Sequence, residues 1–300
     1  MSAPPNLTGV TGRRLAALAE GWRVYRADRG GLFGLAVLLV VVGLALLAPV
    51  LTRSDELDVT RVRGEPLRPP SATNWLGTDE SGRSVLLLTW WGARMSLLVG
   101  LSAAVLSMVI GTVVGLLAAH FGGWVSTLLL RVTDFFLVLP ALVLAIALST
   151  VLSRGVFTIV LAIGVTSWPQ TARLVRAQTL TVETRPYIER ARALGGGHRH
   201  LLGKHVLPAV LPLVFATTTL TVASAIIAES TLSFLGLGDP SMISWGSMLK
   251  SAMDTGAVTA GAWWYLLPPG LGIAIVVLSF TLCGRALETV LNPKLRGTRR

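Results

Sequence analysis

The side chains best suited to chemistry are concentrated in one stretch, YIERARALGGGHRHLLGKHVLP, at residues 187–208. It holds three of the four histidines of the chain, His198, His200 and His205, together with one carboxylate, Glu189. Imidazole and carboxylate groups are common metal ligands, but a structural zinc site takes about four protein ligands, often cysteine thiolates. Because this stretch supplies no thiol and no second carboxylate, we interpret its histidines as interface or solvent-exposed residues and predict no metal site.

The sequence also lacks the motifs of nucleotide binding and hydrolytic chemistry. The GKH triplet at 203–205 has neither the upstream glycine nor the following Ser or Thr of a phosphate-binding loop. There is no G-x-S-x-G nucleophile turn, no H-E-x-x-H zinc pair and no ABC ATPase signature. The single cysteine, Cys283, excludes an internal disulfide and a Cys-rich metal site. We therefore predict a non-catalytic chain that carries no cofactor of its own.

The 187–208 stretch lies between segments that are apolar enough to cross a membrane. Hydrophobic residues make up 52% of the 300-residue chain and charged residues only 14%, which is unlike a typical soluble domain. Segment 31–51 has no ionisable side chain and, at about 1.5 Å per residue, spans the roughly 30 Å hydrocarbon core as a helix. We predict an all-α integral membrane protein with six transmembrane helices, near residues 31–51, 95–119, 124–151, 155–171, 207–236 and 264–288.

The positions of the basic residues predict how the chain is oriented in the membrane. Most of the 26 Lys and Arg residues lie in the N-terminal arm, the 172–206 loop and the C-terminal tail. Positive charge favours the cytoplasmic side, so both termini and this loop are predicted to be cytoplasmic. The predicted parts are a cytoplasmic arm (1–30), a first transmembrane helix (31–51), an external loop (52–94), a five-helix core (95–290) that includes the 172–206 loop, and a cytoplasmic tail (291–300).

The same charge distribution explains the net charge of +11 without a nucleic-acid partner. The basic residues flank membrane spans, and no nucleic-acid-binding motif accompanies them. In the N-terminal arm, apolar residues recur at helical spacing and the arginines fall on a different face. The apolar residues are Leu15, Leu18, Trp22 and Tyr25. We predict that this arm contains an amphipathic helix lying on the inner surface of the lipid bilayer.

The residue order around the three glycines predicts two short helices in the cytoplasmic loop. Pro186 suits the first turn of a helix, and the glycines that begin at Gly195 should end that helix. Gly195 is expected to adopt a left-handed or otherwise open conformation. A second short helix is predicted over 198–205, running on to Pro208.

Two ionisable residues fall within predicted spans, where a charge requires a partner or a function. Asp134 follows Arg131 by three residues, so the two side chains can form an ion pair on one helix face. Glu229 has no charged neighbour in sequence, and it either lines a pathway or pairs with Ser, Thr or another subunit. Prolines interrupt several spans, which fits a translocation pathway as well as simple packing kinks. The candidate pathway residues are Glu229, Pro140 and Ser233, which directly precedes Phe234.

The cytoplasmic stretch resembles the EAA loop of ATP-binding-cassette (ABC) importer permeases, although Arg190 replaces the usual second small residue. The positions that match this motif are Glu189, Ala191, Gly195, Leu207 and Pro208. Further matches over most of the chain include LGTDESGRSVL (76–86), DFFLVLPALVLAIAL (134–148), AESTLSFLGLG (228–238) and LNPKLR (291–296). By these motifs the chain is similar to the dipeptide/oligopeptide/nickel permease family, and to its DppC/OppC-type subunit.

This resemblance implies a type I ABC importer permease fold with cytoplasmic coupling helices. In such an importer two homologous permeases form the pathway, two ATPase subunits or domains bind ATP and Mg, and an extracytoplasmic binding protein delivers substrate. The chain would be half of the pathway, beside a B-type permease, in the bacterial inner (cytoplasmic) membrane. The residues implied in ATPase coupling are Glu189, Arg190, Ala191, Ala193, Leu194, Gly195, Gly196, His198 and Pro208.

The resemblance also favours di- or oligopeptides as the substrate, since paired B- and C-type permeases most often carry them. An importer for nickel or another small solute stays open as an alternative. A secondary transporter is a further alternative, because it too has broken helices and intramembrane charges, but it would not need the ERARALG loop.

Overall fold

The computed structural model describes residues 10–52, 57–61 and 64–291, and this part of the chain is mostly helical. Residues 1–9 of the predicted arm and the tail from residue 292 lie outside the described residues. The α-helices are α1 (Val10–Ala27), α2 (Arg29–Leu51), α3 (Val85–His120), α4 (Gly123–Val138), α5 (Ala141–Val151), α6 (Val156–Glu183), α7 (Pro186–Ala193), α8 (His198–Leu201), α9 (Leu207–Phe234), α10 (Trp245–Asp254) and α11 (Trp263–Leu291).

Within the described ranges, four helical segments are long and apolar enough to cross a membrane: α2, α3, α11 and the segment that joins α8 to α9. A fifth span results if α4 and α5, which bend by 90° at a short break, are counted together. Pro140 lies at this break and cannot donate a helical hydrogen bond. The remaining predicted span falls within α6, whose 28 residues include Arg173 and Arg176 in its C-terminal half. The all-α membrane architecture is confirmed.

The longest helix, α3, lies at the centre of the fold and packs along α6 and α9. Small residues allow this close approach, as is usual between membrane helices. A Cβ atom on Gly115 would stand 2.5 Å from the Ala172 carbonyl oxygen of α6. The α2–α11 contact is equally close, since a Cβ on Gly34 would stand 2.7 Å from the Ser279 carbonyl oxygen. These contacts hold α2, α3, α6, α9 and α11 as one packed unit.

The LGTDESGR segment forms a tight turn that leads into α3. The buried Asp79 carboxylate accepts hydrogen bonds from the backbone N–H groups of Ser81 and Arg83, at 3.0 and 2.7 Å. The Arg83 side chain also donates to it, from Nε at 2.7 Å. A buried carboxylate with this many donors is satisfied, so the motif has a structural role at the start of α3.

Helix α1 packs against the start of the first span through Tyr25. The Tyr25 hydroxyl is buried and donates to the Gly31 carbonyl oxygen at 3.0 Å. Trp22 stacks on Tyr25, with ring centroids 5.8 Å apart, and is half exposed. The side chains of Leu15 and Leu18 lie outside the described residues, so the location of this helix on the bilayer surface stays a prediction.

Candidate coupling loop and membrane cavity

The first helix of the loop begins and ends where the sequence predicts. Pro186 occupies the first turn of α7, where its missing N–H costs no hydrogen bond. Gly195 has φ +83°, the left-handed conformation expected after a helix. The Gly195 N–H donates to the Arg192 carbonyl and the Gly196 N–H to the Ala191 carbonyl, both at 3.0 Å. Ala191 and Gly196 therefore close the turn, and both are half-buried.

The second helix differs from the expectation of a separate segment over 198–205. Helix α8 ends at Leu201, a wider π-helical turn follows over Leu202–Val206, and α9 continues directly from Leu207. The wide turn lies just before Pro208, whose ring would clash with the carbonyl group four residues earlier in a regular α-helix. The Leu207 N–H instead reaches the Leu202 carbonyl. The loop is thus joined to α9 without a break.

One side of the loop is buried against the membrane helices. Ile188 of α7 and Leu201 of α8 are almost inaccessible and belong to one apolar cluster with Val182 of α6 and Val206 and Val210. Burial of such side chains contributes roughly 1.5 to 3 kcal/mol each. The loop is therefore held firmly to the ends of α6 and α9.

The opposite side of the loop is exposed, and we call it the docking face. It includes the tip residue Leu194, which is 86% exposed, although leucine is usually buried. Single exposed apolar residues are common on protein surfaces, so the name rests on the match of this loop to the coupling motif. The docking face consists of Glu189, Arg190, Ala193, Leu194, Gly195 and His198, and Pro208 is exposed at the start of α9.

A hydrogen-bond relay joins the loop to the end of α3. His120 Nδ1 lies 2.5 Å from Glu183 Oε1, and His120 Nε2 lies 2.8 Å from His198 Nδ1. Glu183 also pairs with Arg192 of α7 at 3.7 Å. We call His120, Glu183 and His198 the His120 relay. It links α3, α6 and α8, so three elements that converge on the loop are coupled through one buried imidazole.

Sequence reasoning missed the relay, because its members lie 63 and 78 residues apart and share no motif. Their only signal is that His120 and Glu183 each end a helix on the side of the loop. His198 was expected to be an interface or exposed residue, and it is exposed while bonded to His120. Among the residues that the structure describes, no group of three or more His, Cys, Asp or Glu could hold a metal ion.

A cavity of about 690 Å³ lies between the α4–α5 pair, α6 and α9. Its lining includes Pro140, one of the predicted pathway residues, and no ionisable side chain of the described chain. The threonine hydroxyls donate largely to carbonyls of their own helices, as Thr166 does to Ala162 at 2.8 Å, so their oxygens remain as acceptors toward the cavity. The polar lining residues include Thr166, Ser167, Gln170, Thr217, Thr221 and Ser224.

Glu229 and Ser233 do not line this cavity, so their assignment to the pathway stays a prediction. The cavity-facing residues of α9, such as Ser224, Ala228 and Thr231, lie on one helical face, and Glu229 is turned away by about 100° from Ala228. Glu229 is 1% exposed, and its carboxyl group accepts a hydrogen bond from the Ser233 hydroxyl at 2.8 Å. Of the two alternatives that the sequence left open for Glu229, the structure shows the pairing with serine.

The serines around Glu229 come from three elements. Ser230 also donates to its carboxyl group, at 3.3 Å, and the hydroxyls of Ser96 from α3 and Ser244 from the start of α10 face the same group. Ser96 Oγ accepts from the Trp245 N–H at 3.3 Å, which ties α10 to α3. Glu229 is thus the centre of a polar cluster that fixes α10 against the core. Phe234, next to Ser233, is partly exposed.

Asp134 also has a partner different from the expected one. Its carboxylate accepts a hydrogen bond from the Arg173 guanidinium of α6 at 2.7 Å. Arg131, the predicted partner, forms no ion pair within the described residues. Helix α6 packs against α4. The Arg173 guanidinium therefore reaches the Asp134 carboxylate from a facing helix, whereas Arg131 lies on the same helix as Asp134.

Two family models match this chain. The first, "Binding-protein-dependent transport system inner membrane component", covers residues 111–297, which includes the loop and the cavity helices. The second, "N-terminal TM domain of oligopeptide transport permease C", covers residues 17–70.

Curated relatives are similar to the chain over nearly its whole length. The oligopeptide transport system permease protein OppC of Bacillus subtilis is 35% identical over 96% of this chain and 93% of its own length. The dipeptide transport system permease protein DppC of the same organism is 36% identical over 94% and 87%. The di/tripeptide transport system permease protein DppC of Pseudomonas aeruginosa is 38% identical over 93% of both chains.

A solved structure has a similar fold. It is described as inward facing conformations of the MetNI methionine ABC transporter, and the match has a TM-score of 0.57 at 20% identity. The match covers 69% of this chain and 97% of the other. It supports the type I importer permease fold and says nothing about the substrate of this chain.

Proposed function

We propose that this chain, which belongs to the family of inner membrane components of binding-protein-dependent transport systems, is the permease subunit of an ATP-driven peptide importer. The observation that carries the proposal is the position of the loop between α6 and α9, the two long helices that line the cavity. Any force on the loop acts on both walls of the cavity at once. A loop with one buried and one exposed side suits this role.

The docking face is proposed to receive the cytoplasmic ATPase subunits. Leu194 would enter an apolar recess of the ATPase, while Glu189 and Arg190 would meet charged groups at its rim, where charge mainly sets orientation. The buried side, with Ile188 and Leu201, and the His120 relay would then pass the displacement to α3, α6 and α9. ATP and Mg would be bound by the ATPase partner, since the chain has no phosphate-binding motif.

The remaining parts of the importer follow from the same proposal. The cavity is lined by α4, α5, α6 and α9 of this chain, and a homologous B-type permease would complete it. Residues 52–94 and α10 would face the extracytoplasmic binding protein, and both termini would be cytoplasmic, in the bacterial cytoplasmic membrane. Within this arrangement the chain is a non-catalytic subunit.

Peptides are the proposed substrate, which the names of the relatives support. The cavity lining also supports it, because hydroxyl and amide groups can accept hydrogen bonds from peptide N–H groups. Nickel is well suited to imidazole ligands, and among the described lining residues there is no His, Cys or carboxylate. A peptide importer therefore fits this cavity better than a nickel importer.

The test is transport by the complete importer in liposomes, with the second permease, the ATPases and the binding protein. Uptake of a labelled tripeptide should require ATP on the side of the membrane that holds the ATPases. A proton or sodium gradient should not drive uptake in place of ATP. Uptake driven by a gradient alone would favour the secondary transporter. Uptake of nickel with no uptake of any peptide in a mixed library would refute the peptide proposal.

A further inference from the structure

We propose that Asp134 and Arg173 form a charged gate at the loop-side end of the cavity, and that the charged ends of a zwitterionic peptide open it. This inference rests on the proposed peptide function and adds a specific exit site to it. The pair joins α4 to α6 by a 2.7 Å hydrogen bond between Arg173 and the Asp134 carboxylate. Its location, exposure and chemistry each support the proposal.

The location follows from helical spacing. Asp134 precedes Phe136, the first lining residue of α4, by two residues, and Arg173 directly precedes Leu174, the last lining residue of α6. Helix α6 runs from Arg173 to the loop at Glu183, about 15 Å further along its axis. The pair therefore lies at the end of the cavity nearest the loop.

The pair is not enclosed by the core of this chain. The side chains of Arg173 and Asp134 are 58% and 49% exposed. Ion pairs as exposed as this contribute little to the stability of a fold. Asp134 lies within a predicted membrane span, where an ionisable residue is costly and is generally functional. A half-exposed pair that can separate without unfolding the core suits a gate better than a permanent link.

The chemistry of the pair complements a peptide with free ends. The described wall of the cavity is neutral, so this pair supplies the first fixed charges that this chain presents to a peptide. The Arg173 guanidinium can bind a terminal carboxylate in a bidentate manner, and the Asp134 carboxylate can accept from a terminal ammonium group. Each charge then exchanges one partner for another of the same sign, so α4 and α6 can separate without leaving either charge unpaired.

The first experiment uses the complete importer in liposomes and four variants. These are Asp134→Asn, Arg173→Gln, the exchange Asp134→Arg with Arg173→Asp, and the control Arg131→Gln, which removes a nearby charge of α4 that has no ion pair within the described chain. The two single variants should lower tripeptide uptake by up to about fivefold. The exchange should recover most of the uptake, and Arg131→Gln should match the wild type. Stimulation of ATP hydrolysis by the loaded binding protein should persist in all four.

Wild-type uptake in both single variants, or an exchange variant as inactive as the singles, would overturn the gate. A second measurement does not depend on the substrate. With spin labels at Leu137 and Leu174 in a Cys283→Ser background, Arg173→Gln should broaden the distance distribution between α4 and α6 in the absence of ATP. An unchanged distribution would overturn the gate even if the wild-type importer carried no peptide, a result that by itself would refute only the peptide function.

Discussion

His120 Nε2 and His198 Nδ1 form a 2.8 Å hydrogen bond between residues 78 positions apart in the sequence. This contact joins the end of the central helix α3 to the cytoplasmic loop. The His120 ring is almost inaccessible and also binds Glu183 at 2.5 Å. The relay therefore gives the loop a polar connection to α3 in addition to its apolar contacts with α6 and α9.

The relay predicts that His120→Ala uncouples the loop from α3. The substitution leaves the partly buried Glu183 carboxylate with only its 3.7 Å pair to Arg192, and losing the shorter partner costs roughly 1 to 3 kcal/mol. It also removes the hydrogen bond to the exposed His198. We expect the ATPase to bind normally, while peptide uptake falls and ATP hydrolysis responds less to the loaded binding protein. Uptake and hydrolysis in the reconstituted importer provide the measurement.

The control for this variant is His200→Ala, because His200 is exposed. Its ring packs near that of His205, with ring centroids 5.3 Å apart. It should transport at the wild-type rate. Equal uptake by His120→Ala and His200→Ala, at equal expression, would show that the relay has no part in coupling.

The conformation of Gly195 predicts a difference between neighbouring glycines. Gly195 has φ +83°, whereas Gly197 has φ −71°, and a Cβ on either would meet no atom within 4 Å. Gly195→Val should therefore strain the backbone by about 1 to 2 kcal/mol and displace the docking face, while Gly197→Ala should be tolerated. We expect normal membrane insertion in both, with uptake lost only in Gly195→Val.

Membrane fractionation and uptake in cells measure this difference. If Gly195→Val imported peptide normally at verified expression, the docking face would not depend on the turn, and the loop would be only a basic segment flanking the membrane.

The serine cluster predicts that the charge of Glu229 matters less than its oxygen atoms. Glu229→Gln keeps one carbonyl acceptor for the Ser233 hydroxyl, whereas Glu229→Leu leaves several buried hydroxyls without an acceptor and should destabilise the protein by about 1 to 3 kcal/mol. We expect Glu229→Leu to lower the melting temperature of the purified protein and Glu229→Gln to lower it much less. Equal melting temperatures for Glu229→Leu and the wild type would contradict this role.

The charge distribution predicts the orientation of the chain, which labelling can test directly. In a Cys283→Ser background, an impermeant thiol reagent applied to intact cells should label a cysteine at Thr73 but not one at Arg199. Both positions are exposed, so access across the membrane decides the result. Labelling of Arg199→Cys but not of Thr73→Cys would show that the chain has the opposite orientation.

The features that could be predicted from the sequence are those set by neighbouring residues. Apolar length predicted the four or five spans that are long and apolar enough to cross a membrane, but α6 is not one of them. Pro186 and Gly195 predicted the bounds of α7 because each residue acts on its own backbone. The wide turn before Pro208 was missed, since a proline near a helix start can end a helix or be absorbed by a π-turn.

The features that could not be predicted depend on contacts between distant helices. Glu229 and Ala228 are adjacent in sequence, yet one is enclosed by serines and the other lines the cavity, and only the packing of α9 decides which. For the same reason Asp134 pairs with Arg173 of α6 and not with Arg131 of its own helix.

The central claim is that ATP-driven displacement of the loop moves both walls of the cavity. The most direct measurement is the distance between spin labels at Gln170 on α6 and Ser224 on α9, in the active importer in lipid nanodiscs and a Cys283→Ser background. We predict that ATP binding shifts this distance when the docking face is intact and does not when Leu194→Glu disrupts it. A distance unchanged by ATP in an importer that still takes up peptide would contradict the account.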